Sequence, residues 1–420
     1  MQGSSSRYDP YSSLRFKEYR FFIAARLTLT LAFQVQALVI NWMAYEYTRD
    51  PWTLGFMGLI EALPIIFVSL FGGHFADKFS RRKIILLLIC LLMAVALFQT
   101  WLTSEGLKKI YEYGTAPVFV IVFVIGVARG FLAPAVTSFA SQLIPRNIFA
   151  NAATWSSSMW QLGAVAGPAM GGIFYVWLGG SITSFIAFIM MAASIVFYLL
   201  ISDKHDARRV KDESMMESLA AGIKFVFKNK IIVSAISLDL FAVLFGGAVA
   251  MLPVFADQVL HAGPEGLGYL RAAPALGAVI MTVVLAYYPP LRNSGKTLLV
   301  NVALFGLCMI TFALSQNFIL SFVLLLLSGM FDAVSVVIRH TIIQTFTPDE
   351  MRGRVSSVNS IFIGASNEIG AFESGLTAKI MGLIPSVIFG GAMTLLVVFG
   401  ALRLAPSLKK LHLEKTDLAE

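Results

Sequence analysis

Runs of predominantly apolar residues recur along the whole chain with short polar intervals between them. A helix needs about 20 such residues to cross the hydrocarbon core of a bilayer. Twelve runs qualify, at residues 20–46, 54–76, 83–103, 116–143, 151–178, 181–201, 231–257, 266–288, 297–315, 318–345, 354–382 and 385–404. Each predicts a membrane-spanning helix, because in lipid the backbone N–H and C=O groups must be satisfied within the segment. Pro64, Pro134, Pro168 and Pro274 fall inside runs. Membrane helices tolerate them, since neighbouring helices re-satisfy the freed backbone groups. The polar residues before the first run lead into it without a small-residue cleavage pattern, so the run reads as a retained span and not a signal peptide.

The polar intervals set the orientation. With the N-terminus placed in the cytoplasm, the outer intervals hold only Arg49, Lys108 and Lys109 of the 32 Lys and Arg residues. Arg26, Arg129, Arg271, Arg339 and Lys379 fall within runs, and the rest lie on the cytoplasmic side. That bias predicts both termini inside. One interval is long. It opens with a charged stretch from Asp203 to Glu213 and continues from Ser218 to Lys230 as an amphipathic helix on the cytoplasmic membrane face. It divides the chain into an N-terminal six-helix half (1–201), a cytoplasmic linker (202–230) and a C-terminal six-helix half with its tail (231–420). Aligning Pro145 with Pro348 places Gly167 on Gly370, a weak repeat of the kind found in carriers whose halves rock about a midplane site.

Composition sharpens the class. The chain is 57% hydrophobic and 13% charged, about half the charge of an ordinary soluble protein. The missing charge corresponds to a surface that faces lipid. The formal charge of +8 sits in clusters beside the apolar runs, which fits membrane flanks and not a nucleic-acid surface. Cys90 and Cys308 lie inside runs without metal-ligand spacing and read as small core residues. No metal or other cofactor is expected. No phosphate-binding G-x4-G-K-[ST] loop supports ATP hydrolysis, so an ion gradient, of protons in the first instance, is the expected energy source.

Three segments carry a resemblance. Gly73-His-Phe-Ala-Asp77-Lys78-Phe-Ser-Arg81-Arg82-Lys83 resembles the G-x-x-x-D-[RK]-x-G-[RK]-[RK] loop of the major facilitator superfamily, departing from it at Ser80. Gly163-Ala-Val-Ala-Gly167-Pro168-Ala-Met-Gly171-Gly172 is similar to the G-x3-G-P-x2-G-G motif of that superfamily's antiporters. Arg129 with Pro134 in the fourth run, and Tyr45 to Thr48 with Leu54-Gly55, resemble the branch of enterobactin exporters and macrolide efflux pumps, though Ala133 stands where that branch has glycine. The resemblance implies an all-α membrane protein of the major facilitator fold, twelve helices in two six-helix halves. It further implies that Asp77 latches against the start of span 11, and that the glycines of span 5 form a tight seam suited to exchange. The arginines of the loop are expected to anchor it at the anionic leaflet.

Ionisable groups at membrane depth mark functional sites by default. Glu61, Arg129, Asp239 and Glu368 are candidates for proton coupling, with Arg129 as the cationic partner. Arg26, Gln34, Asn41, Arg271, Asp332, Asn359 and Ser366 are candidates for the substrate cavity. The first and last groups of these rest on helical spacing: Arg26, Thr30, Gln34 and Asn41 share one face of span 1, and Asn359, Ser366 and Glu373 one face of span 11. Trp42, Trp155 and Trp160 offer apolar contacts. Arg339 and His340 read as snorkelling anchors at the end of span 10.

The reading is a monomeric carrier in a bacterial inner membrane, with the bilayer and a small molecule as its partners. It is expected to export an amphipathic drug- or siderophore-like solute by alternating access and proton antiport. The alternatives are a symporter or uniporter importing a nutrient, and a membrane enzyme or receptor. The last would need a catalytic cluster or a sizeable soluble domain, neither of which the sequence offers.

Overall fold

The computed structural model describes residues 11–78, 80–145, 148–202, 215–246, 248–288, 293–348 and 351–413, with the side chains of 69–78, 150, 215–219, 286, 352, 353, 357, 360, 361 and 365 set aside. The chain folds into α1 (Lys17–Thr48), α2 (Pro51–Lys78), α3 (Arg81–Thr103), α4 (Ala116–Ala140), α5 (Phe149–Leu199), α6 (Met215–Lys228), α7 (Lys230–Phe245), α8 (Gly263–Tyr287), α9 (Ser294–Leu314), α10 (Phe318–Phe346), α11 (Arg352–Met381) and α12 (Leu383–Leu404). Ten helices among the described residues are long and apolar enough to cross a membrane. The twelve predicted spans are nevertheless present. α5 carries spans 5 and 6 in one unit, broken only at Gly179 (φ 75°, ψ 169°), a conformation that suits glycine. α11 is the twelfth, kept out of the apolar set by its many polar residues.

Span 7 differs from the continuous helix expected. α7 ends at Gly246, and the chain goes on through a 3-10 turn (Ala248–Met251), a helical turn (Leu252–Val254) and a π-helical turn (Phe255–Val259). Pro253, which lacks a backbone donor, lies in this stretch. The linker helix α6 also does more than lie on a membrane. Val226 is fully buried, and a methyl group built on Gly222 would lie 3.0 Å from the Arg354 carbonyl at the start of α11. Asn229 then starts α7, its side chain accepting from the backbone N–H groups of Ile231 and Ile232 at 3.0 and 3.2 Å.

The two halves repeat one packing scheme. α1 packs on α5 and α2 on α4; in the second half α7 packs on α11 and α8 on α10. The halves meet along α2 with α11 and along α5 with α8. Both seams are made by glycine. A methyl group on Gly55 would lie 2.7 Å from Gly375 Cα, and one on Gly268 only 2.6 Å from the Pro168 carbonyl and 3.1 Å from Gly172 Cα. Small residues let helix backbones approach this closely. These seams lie at the end of the bundle that carries Arg49, opposite the end where α1 begins and α12 finishes.

Candidate functional site

Between the halves lies a cavity of about 710 Å³. Its wall reaches from Asn41, Leu54 and Pro253 near the Arg49 end to Thr137 in the last turn of α4 and Tyr198 in the last turn of α5. The cavity therefore extends towards the end of the bundle that holds the chain termini. α1 contributes Arg26, Thr30, Gln34 and Asn41, so the polar stripe read from helical spacing does face inward. Arg271 and Asp332 also line the wall, as does Trp160. Trp42 is instead buried in the core of the N-terminal half.

Asn359 and Ser366 do not join them. Both are buried, at 4% and 2% exposure, and Ser366 donates to the Ile363 carbonyl of its own helix at 3.0 Å. The face of α11 that lines the cavity carries Asn367, Glu368 and Ala371. The stripe of spacing seven is real but faces helix contacts.

At the centre of the wall, Arg129 on α4 bonds Glu61 on α2 through Nη1, and the same nitrogen lies 3.4 Å from Glu368 Oε1 on α11. Arg271 on α8 stands within electrostatic reach of both carboxylates. Two acids and two arginines thus converge from four helices, two in each half. Glu61 lies well inside its helix. α2 starts at Pro51, which puts residue 61 ~15 Å into the helix.

Asp239, the remaining coupling candidate, lies elsewhere. It forms an ion pair with Arg339 inside the C-terminal half. Asp239 is 6% exposed and Arg339 2%, so Arg339 is no snorkelling anchor; only the adjacent His340 is exposed. A residue near a helix end reaches the interface when its face points outward, and Arg339 faces a neighbouring helix.

The span 5 motif has two faces. Methyl groups on Gly163 and Gly167 would meet Thr30 Cγ2 at 2.7 Å and Gln34 Cβ at 2.5 Å, and one on Gly171 would lie 3.2 Å from Val35 Cα, all on α1. Gly172 and Pro168 face α8. The motif therefore fixes the cavity-lining helix α1 on one side and one seam between the halves on the other. Of the loop motif, Gly73, Asp77 and Lys78 have side chains outside the described residues. Arg82 has a role the sequence did not reveal. Its Nε and Nη2 donate to the carbonyls of Tyr198 and Leu199 at 3.0 and 2.8 Å, capping the C-terminus of α5, where a cation is favoured.

The Arg49 end carries a second group of residues that sequence reasoning missed. Asp257, in the π-helical turn, pairs with Arg49 and accepts a hydrogen bond from the Tyr45 hydroxyl at 3.1 Å. Lys379 lies 3.9 Å from Asp50 and its ammonium 5.3 Å from the Trp52 ring centroid, while Trp52 packs against Phe372 at 5.4 Å. These contacts tie α1 and α2 to the C-terminal half across the closed end. Asp257→Asn removes the charge that holds Arg49. The expected result is a larger population with that end open, read as increased labelling by a membrane-impermeant maleimide of a cysteine placed at Asn41. Unchanged labelling would show that the Arg49–Asp257 pair is not what holds the end shut.

A family model described as transmembrane secretion effector matches residues 8–418. The chain belongs to this family. It is thus a transporter of the major facilitator superfamily and a multi-pass membrane protein. Among its relatives, the enterobactin exporter EntS of Escherichia coli (strain K12) is 23% identical over 408 residues, covering 95% of this chain and 94% of that protein. The MFS-type transporter YfmI of Bacillus subtilis (strain 168) is 23% identical over 385 residues, covering 87% and 92%. Solved structures share the fold. A D-xylose-proton symporter superposes with a TM-score of 0.74 at 15% identity, covering 94% of this chain and 99% of that one. A bacterial homologue of the human lysosomal transporter Spinster, in an inward-facing and unoccupied conformation, gives 0.69 at 14%, covering 94% and 97%.

Proposed function

We propose that this secretion-effector family member exports a small amphipathic solute, drug- or siderophore-like, by alternating access in exchange for protons. The observation that carries this reading is the cluster of Glu61, Arg129, Arg271 and Glu368, built from both halves inside the cavity. Arg129 and Glu61 belong to one half and Glu368 and Arg271 to the other. When the halves rock, the bond between Arg129 and Glu368 stretches while that between Arg129 and Glu61 travels with its half. The cation that faces each carboxylate therefore differs between the two states. Proton binding and conformational change then become one equilibrium. The relatives named as enterobactin exporters support the outward direction.

In this reading the chain is a monomer in a bacterial inner membrane with both termini in the cytoplasm. The end bearing Arg49 is then the outer one, and the structure represents the state whose cavity opens to the cytoplasm. Asp77 serves as the latch of the opposite state, and Asp239 as a structural partner of Arg339.

Purified protein in vesicles containing a pH-sensitive dye tests the coupling. Adding a transported solute is expected to drive proton movement opposite to solute movement. Glu61→Gln and Glu368→Gln each remove that proton signal while solute binding persists. Proton and solute moving in the same direction would establish the symport alternative, and an undiminished proton signal in both variants would place coupling elsewhere.

A further inference from the structure

Arg129 and Arg271 have carboxylates to face; among the described residues Arg26 has none. It lies on α1 in the cavity wall, towards the end that holds the termini. Its electrostatic neighbours among the described residues are the hydroxyls of Tyr198 and Tyr19, and no carboxylate is among them. Its Nε is buried without a hydrogen-bond partner. Tyr198 is fully buried in the same wall, and its hydroxyl likewise lacks a partner. The Tyr19 hydroxyl is already committed, donating to the Ala152 carbonyl at 2.5 Å.

The surroundings of this group are rigid and apolar. The Tyr198 ring packs 6.4 Å from Phe22 and 6.1 Å from Phe139, which lie 6.4 Å from each other, and Tyr19 packs 5.7 Å from Phe22. Arg82 holds the Tyr198 carbonyl from below. With its two tyrosine neighbours packed into this aromatic cluster, a charge that reaches Arg26 from the cavity interacts through a lower dielectric than in water. Guanidinium is the side chain whose geometry suits a planar oxyanion, and a half-buried charge without a counter-charge gains when one arrives.

We infer that Arg26, with the Tyr198 hydroxyl beside it, is an anion subsite of the cavity, and that the cargo is an amphipathic solute carrying a carboxylate or a comparable oxyanion. This rests on the export reading only in treating the bound anion as cargo. The apolar body of the solute would lie along Leu29, Phe33 and Trp160, which share the wall.

The test uses the full chain purified in detergent and two probes that differ in one group, dansylglycine and dansylglycinamide. Energy transfer from protein tryptophan, with Trp160 in the cavity wall, reports binding. A charge-assisted bond predicts that the carboxylate binds about tenfold or more tightly than the amide. Arg26→Gln is expected to abolish that preference, with Arg26→Met giving the same result if the first variant does not elute as a single species. Tyr198→Phe is expected to weaken it. Equal affinity of the two probes for the native protein overturns the inference, as does a preference that survives both Arg26 variants. Vesicle transport separates the two claims. A carboxylate preference in binding without dansylglycine flux sinks the export reading and leaves the subsite standing; flux without preference does the reverse.

Discussion

Arg129→Leu is expected to stop coupled transport, lowering solute-driven flux by on the order of 10²-fold, while the protein still folds. The variant leaves Glu61 and Glu368 on opposite halves with Arg271 in electrostatic reach of both. Without the guanidinium, the contact that changes as the halves rock is lost, so proton exchange is no longer tied to the transport cycle. Removing one member of a buried charge cluster costs about 3–5 kcal/mol. Here the Arg129 side chain is 46% exposed to the cavity, so water screens part of that and the lower end of the range is the better guide. Arg129→Lys is expected to recover only part of the flux, since the ammonium keeps the charge but on a shorter, more strongly hydrated side chain. Counterflow in vesicles, measured beside solute binding, gives the answer. Wild-type flux in Arg129→Leu would make the cluster a structural fixture.

Arg339→Leu is expected to have the largest effect on stability, about 3–5 kcal/mol. Asp239 would then stand at 6% exposure with no cation beside it. For a half-molecule of this size, each kcal/mol moves the midpoint by roughly 2–4 °C, so thermal unfolding in detergent should shift by on the order of 10 °C. The double variant Asp239→Leu with Arg339→Leu is expected to regain most of the loss, because replacing a whole buried pair by apolar groups is close to neutral. If the double variant unfolds as early as the single one, Asp239 and Arg339 hold the C-terminal half by something other than their charges.

How much of this was legible depended on which physical signal each feature leaves in sequence. Spans announced themselves through their length and apolar content, and even α11 was found, although its polar residues dilute that signal. The α1 stripe from Arg26 to Asn41 lines the cavity, where a lone polar face in a membrane helix has few other places to point. The same logic failed for Asn359 and Ser366. Spacing tells which residues share a face of α11, but not whether that face meets the cavity or α7 and α12. Glu368 was picked out for its charge, and its meeting with Arg129 and Glu61 follows from packing between helices 68 and 239 residues apart in sequence. Arg49 was missed because a basic residue in an interval reads as an orientation signal, and Asp257 because it only closes the run 231–257; nothing local says that either has a partner across the molecule. Arg82 was missed for a similar reason. The rule that places basic residues at cytoplasmic helix ends does not say which carbonyls they cap.

The glycine seams have a consequence for inheritance. At Gly55 against Gly375, and at Gly172 against Gly268, backbone touches backbone with no side chain on either partner to trim. A larger residue at one position cannot be accommodated by a smaller one opposite, because there is none smaller. Drift at these four positions is therefore blocked unless the helices themselves move apart. A lineage that relaxed one seam would have to relax its pseudo-symmetric counterpart as well, or the halves would close askew.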